Sequence, residues 1–165
     1  KGEIIAIDVY DKRLKILEEN SNRLGISIIK PIAYDARTVT LDMADRVLVD
    51  APCSGFGTLS KKPDIKWKQN IQQIEKLNQL QYEILCNASR HVKMGGVLVY
   101  STCTIEPEEN ENIINKFLES HTNFEIENAS NFVSSFVVNE QGFIQTLPHI
   151  HKIDGSFAAR LRRKY

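Results

Sequence analysis

Three cysteines are the residues of this 165-residue chain best suited to chemistry. Two of them, Cys53 and Cys103, stand in polar stretches directly after short apolar runs, Arg46-Val47-Leu48-Val49 and Val97-Leu98-Val99-Tyr100. Cys86 lies between Leu85 and Asn87 in a helical pattern and reads as a small buried hydrophobe. Taken singly, Cys53 and Cys103 have the same plain reading. Taken together, in a fold that sets strand-end loops side by side, they can share a site. Metal binding is a poor account, because neither belongs to a C-x-x-C pair and His91, His121, His149 and His151 lack matched ligand spacing. A redox pair lacks the thioredoxin-type spacing. Nucleophilic catalysis remains, in which a thiolate attacks an electrophilic carbon. A cysteine-dependent hydrolase is disfavoured, since no histidine stands in a strand-end loop beside either cysteine.

Acids occupy similar positions. Asp8 ends an apolar run, Asp35 follows another, and Asp50 comes three residues before Cys53. A strand-end Asp serves as a turn former or helix cap as readily as it serves a ligand. Lys61, Lys62, Lys66 and Lys68 gather around Trp67 just beyond Cys53, with Phe56 between, and Arg160, Arg162, Arg163 and Lys164 gather at the tail. Each cluster reads either as a solvated charged face or as a set of phosphate contacts, and Phe56 and Trp67 either as loop packing or as stacking platforms for a base.

The elements that must position these residues alternate between strand and helix, the signature of strands joined by crossover helices. A strand is expected over residues 3–8, then a helix from Asp11 to a stop at Gly25, and strands over residues 26–32 and 46–49. Ile71, Ile74, Leu77, Leu85, Ala88 and Val92 recur at helical spacing, so a long helix is expected over residues 71–92, closed by Gly95-Gly96. A buried strand over 97–100 follows, then a helix opening at Pro107 and running to about Ser120. The tail carries strand-like runs at 124–127, 143–147 and 156–161, an antiparallel end to a mostly parallel sheet. In such a sheet, ligands bind beyond the carboxyl ends of the strands, where Asp8, Asp35, Asp50, Cys53 and Cys103 fall.

Composition sets the bounds. With 42% hydrophobic and 25% charged residues the chain is expected to form one globular domain over residues 1–165. Its 21 basic and 21 acidic residues cancel, which excludes attachment to nucleic acid by bulk charge and leaves only local basic patches. The apolar runs are too short for a membrane span, and an odd number of cysteines without a signal-peptide pattern points to a reducing cytoplasm. Lys1 in place of a methionine, with an apolar run almost at once, suggests a piece of something longer.

The stretch Asp50-Ala51-Pro52-Cys53-Ser54-Gly55, with Lys61-Lys62-Pro63-Asp64 and Trp67 downstream, resembles the Pro-Cys motif of RNA cytosine-5 methyltransferases. Ser101-Thr102-Cys103-Thr104 resembles their Thr-Cys motif, and Asp154-Gly155-Ser156-Phe157 their C-terminal Asp-Gly-Phe-Phe element, with Ser156 replacing the first Phe. The nearest likeness is to the bacterial Sun (Fmu-like) enzymes that methylate a cytosine in small-subunit ribosomal RNA. The resemblance implies a Rossmann-like class I methyltransferase fold, S-adenosylmethionine as methyl donor, and ribosomal RNA as partner, with no metal and no membrane.

By the same resemblance Cys103 is the nucleophile that adds to carbon 6 of cytosine, Cys53 assists product release, and Asp50 lies near ring nitrogen 3. DNA cytosine methyltransferases use a Pro-Cys cysteine as nucleophile, so the swapped assignment is the natural rival. Asp8 matches the residue that takes the donor's ribose hydroxyls and Asp35 the one near its adenine amino group, while Lys61, Lys62, Lys66 and Trp67 are the RNA-contact candidates. The family's Gly-rich donor loop has no counterpart here, and the strand at 3–8 corresponds to the second of the family's sheet, so the first, central strand is missing. The fragment is therefore expected to bind the donor weakly and to be inactive or nearly so. The reading from another class is a catalytically silent RNA-binding or assembly module.

Overall fold

The computed structural model describes residues 2–68 and 70–165, apart from the side chain of Lys68. The chain divides into two compact units, Lys1–Thr40 and Leu41–Tyr165. In the first, strand β1 (Ile4–Asp8) leads into helix α1 (Asp11–Arg23) and returns as strand β2 (Ile29–Ala33). The two strands pair in parallel, with Asp8 opposite Ala33, so Asp8 and the segment leading to Asp35 leave the same end of this small sheet. Pro31 lacks an N–H for the ladder and is tolerated because β2 is an edge strand. Leu14 is the buried anchor of α1, and Gly25, at φ 68°, turns the chain beyond its end.

The second unit opens with β3 (Ala44–Asp50), which pairs in parallel with β4 (Val92–Thr102). Antiparallel strands complete the sheet. β7 (Ser156–Arg163) lies beside β4, and β5 (Phe124–Ile126) and β6 (Ile144–Thr146) both pair with β7. The crossover between β3 and β4 is helix α3 (Ile71–Arg90), and α4 (Glu111–Ser120) precedes β5. Two single-turn helices, α2 (Ile65–Lys68) and α5 (Pro148–His151), lie in the connecting loops. The result is a mixed α/β fold with a parallel pair and an antiparallel end, as the alternation of patterns predicts.

Period-2 burial builds the core. Leu98, Tyr100 and Thr102 of β4 stand opposite Leu161, Ala159 and Phe157 of β7, and all six are buried on one face. Leu85 of α3 and Ile114 and Phe117 of α4 close over that face. Phe143 and Phe157 meet at 5.2 Å between ring centroids. Asn70 and Gln73 form a capping box that satisfies two otherwise orphan N–H groups at the start of α3, a contribution of about 1 kcal/mol.

β2 begins at Ile29, three residues later than the strand expected from residue 26, and two other boundaries differ for a structural reason. Helix α3 stops at Arg90, and Gly95-Gly96 belongs to β4 instead of ending the helix. The glycines sit where the β3–β4 register jumps, Ala44 opposite Val92 but Arg46 opposite Val97, so β4 bulges. Gly95 supplies φ 70° there, and a Cβ on Gly96 would fall 2.8 Å from the Lys93 carbonyl. The helix predicted to open at Pro107 starts instead as a single 3-10 turn (Pro107–Glu109), with α4 following from Glu111.

Candidate active site

β3 and β4 run in parallel as neighbours, with Asp50 opposite Ser101, so the loops that leave their carboxyl ends rise side by side. The Ala51 N–H donates to the Ser101 carbonyl at 2.9 Å and continues the ladder one residue past the strand. From there the Pro-Cys loop and the Thr-Cys loop converge. The sulfur atoms of Cys53 and Cys103 are 3.2 Å apart, and the Cys103 backbone N–H points at the Cys53 sulfur at 3.3 Å.

A third loop locks the two together. Gly57 N–H donates to the Cys103 carbonyl at 3.0 Å, and Gly155 N–H donates to the Gly57 carbonyl at 2.8 Å. The backbones meet so closely that a Cβ on Gly57 would lie 2.0 Å from the Gly155 oxygen, and one on Gly155 would lie 2.4 Å from Ile105 Cγ2. The tail element around Asp154-Gly155 is therefore part of the site's wall.

Joined to the cysteine loops is a buried polar network. Glu109 is fully buried and accepts from the Ser54 N–H at 2.9 Å, from the Ser54 hydroxyl and from the Gln81 amide at 2.9 Å. Ser54 and Thr104 hydroxyls are 2.9 Å apart, and the Asn110 amide donates to the Thr104 carbonyl at 3.1 Å. The sequence reading passed over this network. One signal pointed to it: Gln81 interrupts the apolar stripe of α3 midway between Leu77 and Leu85.

The two thiols are unequal. Hydrogen bonding from Cys53 holds the Cys103 thiol well below the ordinary range, at about 6, assisted by Lys62 and opposed by partial burial and by Asp50. The Cys53 thiol is pushed up by its contact with Cys103 and by burial, so it keeps its proton. Cys103 is exposed and Cys53 is not. The surroundings thus favour the thiol form at Cys53 and the thiolate form at the accessible Cys103. Asp50 ends β3 exposed and accepts from the Ser101 hydroxyl at 3.2 Å.

The predicted RNA-contact residues have different fates. Lys62 and Lys66 are exposed, and Lys66 lies 5.3 Å from the Trp67 ring centroid, with Trp67 itself 83% exposed. Lys61 is held by Asp154 at 2.6 Å, and the Ser60 hydroxyl joins the same carboxylate at 3.3 Å. Phe56 is half-buried in a 3-10 turn, and the Lys68 side chain lies outside the described residues. In the tail, Arg160 and Arg162 both bind Glu127 and Arg163 donates to the Val92 carbonyl, so three of its four cations brace the sheet.

The two donor-site candidates belong to the first unit. Asp8 accepts from the Tyr10 N–H at 2.8 Å and from Arg13 at 3.2 Å, which leaves a lone pair on each oxygen. Asp35 is held from both sides by the Arg37 guanidinium, at 2.7 to 3.1 Å, and by the Arg37 N–H at 2.9 Å. That contact holds its carboxyl below the usual carboxylate range. Among the described residues no group of His, Cys, Asp and Glu is arranged to hold a metal, and no helix is long and apolar enough to cross a membrane.

The chain is 38% identical over 173 residues to the probable ribosomal RNA small subunit methyltransferase B of Bacillus subtilis, an alignment that takes in 99% of this chain and 38% of that protein. It is 37% identical over 166 residues to the tRNA (cytosine(72)-C(5))-methyltransferase of Pyrococcus horikoshii, covering 99% of this chain and 41% of that one. The chain therefore spans about two fifths of the length of these curated relatives. The crystal structure of NSun6 from Pyrococcus horikoshii with SFG superposes with a TM-score of 0.87 at 35% identity, over 100% of this chain and 42% of that chain. Such neighbours make the fold Rossmann-like. The profile of the 16S rRNA methyltransferase RsmB/F family matches residues 1–162, and the chain belongs to that family.

Proposed function

We propose that this chain is catalytic machinery of an S-adenosylmethionine-dependent RNA cytosine-5 methyltransferase that works through a covalent cysteine adduct, with small-subunit ribosomal RNA as substrate. The observation that carries the reading is the pair of sulfurs 3.2 Å apart in the loops that leave two neighbouring parallel strands, and the opposite shifts of their proton affinities support it. Carbon 5 of cytosine is a weak nucleophile until a thiolate adds at carbon 6 and raises its electron density. Cys103, the accessible thiolate, forms that carbon–sulfur bond. The carboxyl of Asp50, at the mouth of the same loops, holds the proton at ring nitrogen 3. Once Cys103 is committed to the carbon–sulfur bond, Cys53 gives its own proton to solvent. After carbon 5 has been methylated, the Cys53 thiolate removes the remaining hydrogen there as a proton, and the electron pair of that carbon–hydrogen bond restores the ring double bond as the carbon–sulfur bond breaks to release Cys103 as a thiolate. Opposite proton affinities favour this division over the swapped one.

S-adenosylmethionine, when bound, supplies the methyl group. The residues suited to hold it are Asp8, whose spare lone pairs fit a ribose diol, and Asp35, which reaches an adenine amino group only once Arg37 swings aside. Because carbon 6 is inaccessible in a stacked helix, the target base must be unstacked or come from a loop, and Trp67, Lys62 and Lys66 are the side chains available to receive the strand.

The test is trapping with RNA containing 5-fluorocytosine, in the protein that carries this chain. Fluorine at carbon 5 cannot leave as a proton would, so the adduct accumulates. Cys103→Ala is expected to abolish it and Cys53→Ala to retain it. An adduct that survives Cys103→Ala and is lost in Cys53→Ala reverses the roles. No adduct with any RNA, together with RNA affinity unchanged when both cysteines are replaced, supports a catalytically silent RNA-binding module. Since one relative acts on tRNA, ribosomal and transfer RNA are compared as substrates, and adduct formation confined to transfer RNA would replace the substrate proposed.

A further inference from the structure

Burying a carboxylate costs several kcal/mol unless donors compensate it, so what the donors of Glu109 fix is the place to look for its purpose. Ser54, which follows Cys53, gives it both its N–H and its hydroxyl. Gln81 donates to it and also to the carbonyl of Pro52, which precedes Cys53, both at 2.9 Å. One carboxylate therefore ties down the residues on either side of Cys53. The Ser54 hydroxyl also reaches Thr104, the residue after Cys103. Glu109 is itself anchored by the Tyr100 hydroxyl, which donates to its carbonyl at 2.7 Å. None of these groups faces a reacting atom.

We propose that Glu109 is a positioning residue that holds the sulfur atoms of Cys53 and Cys103 in contact, acting through Ser54, Gln81 and Thr104. Its catalytic meaning rests on the two-cysteine reading above, but the contact itself can be measured without RNA or methyl donor. The groups that perturb Cys103 are Cys53, Asp50 and Lys62, and none is altered by a change at position 109. Glu109→Gln keeps the size of the side chain but replaces one carboxylate oxygen with an N–H donor, so at least one of the three hydrogen bonds that Glu109 accepts from Ser54 and Gln81 is lost. The loops then drift, and the hydrogen bond that favours the Cys103 thiolate weakens.

The experiment follows alkylation of Cys103 by iodoacetamide against pH in the 165-residue chain, with mass spectrometry reporting the site and circular dichroism the fold. Glu109→Gln is expected to raise the midpoint by about one pH unit or more from its value near 6. In the double variant with Cys53→Ala the midpoint is expected to go no higher than in Cys53→Ala alone, because both changes remove one contact. Glu109→Asp is expected to recover part of the shift. A folded Glu109→Gln protein with an unmoved midpoint, or shifts that add in the double variant, overturns the proposal. If Glu109→Gln does not fold, Ser54→Ala decides, since it cuts the link to Thr104 and leaves the backbone N–H. A smaller rise then supports the proposal and no rise overturns it. Failure of the RNA trapping experiment in the parent protein would count against the methyltransferase mechanism and leave this measurement intact.

Discussion

Removing the Cys53 sulfur tests the electrostatics of the site directly. Hydrogen bonding from Cys53 is the largest influence lowering the Cys103 thiol to about 6. Without it, partial burial and the Asp50 charge both act to raise the thiol, and only Lys62 and the local backbone oppose them. In Cys53→Ala the midpoint should return to the ordinary thiol range near ~8.5. At pH 7 the thiolate fraction then falls from about 90% to about 3%. The rate of alkylation falls much less. A thiolate of higher proton affinity is the better nucleophile, and with a Brønsted coefficient of about 0.45 the gain is about tenfold, so the net loss at pH 7 is only about threefold. The decisive quantity is therefore the pH midpoint, measured by iodoacetamide labelling of the Cys103 peptide, with Cys86 as an internal reference whose thiol burial pushes up. Cys53→Ser, which keeps a hydroxyl donor, should fall between the two. A midpoint in Cys53→Ala that stays near that of the parent would falsify the assignment of Cys53 as proton donor to Cys103.

Other perturbations follow from the same contacts. Gly57→Ala puts a methyl within 2.0 Å of the Gly155 carbonyl oxygen, so it should lower the unfolding temperature by several degrees, about 1–3 kcal/mol of overpacking, and abolish adduct trapping; unchanged melting and trapping would mean the three loops are not locked as described. Asp8→Ala should weaken donor binding by about tenfold or more, the loss of charge-assisted hydrogen bonds to a ribose, as measured by titration calorimetry. Unaltered affinity would remove Asp8 from the donor site. Asp154→Asn frees Lys61 from a carboxylate that its ammonium holds below the usual range. RNA affinity should rise and its salt dependence steepen by about one counterion, whereas Lys62→Ala should make it shallower by the same amount. A salt slope indifferent to both changes would show that this lysine cluster does not meet phosphate.

Much of the fold was legible because strand and helix periods are strong signals in a chain whose core lies on one face of the sheet. Leu98, Tyr100, Leu161 and Phe157 alternate as buried strands must, and β1, β3, α3 and β7 appear within a few residues of their expected bounds. Gly95-Gly96 was misread because the same dipeptide that ends a helix also permits a bulge, and only pairing with β3 distinguishes them. In the site, the convergence of two loops followed from the parallel pairing of their strands. The Glu109 network did not, because its donors come from positions 54 and 81 and its burial is a tertiary fact. Pairing of Lys61 with Asp154 was hidden for the same reason, 93 residues separating the partners.

What the structure adds to the motif pattern is an asymmetry. Two cysteines at the carboxyl ends of adjacent parallel strands are equivalent as far as topology is concerned, and either could serve as nucleophile. Burial breaks the tie. Cys53 is more enclosed, and desolvation joins the sulfur contact in raising its thiol. These surroundings favour the proton on the enclosed sulfur and the negative charge on the more open one. A nucleophile must be both ionised and reachable, and the lowered, exposed thiol of Cys103 fits the proposed role better than the raised, more enclosed thiol of Cys53. The same placement keeps a protonated thiol beside the adduct's sulfur, and that thiol cannot act as a base until its proton leaves. In the proposed mechanism, addition of Cys103 to the ring would remove the thiolate partner that favours the protonated form of Cys53, so that Cys53 could lose its proton to solvent and then take the hydrogen from carbon 5.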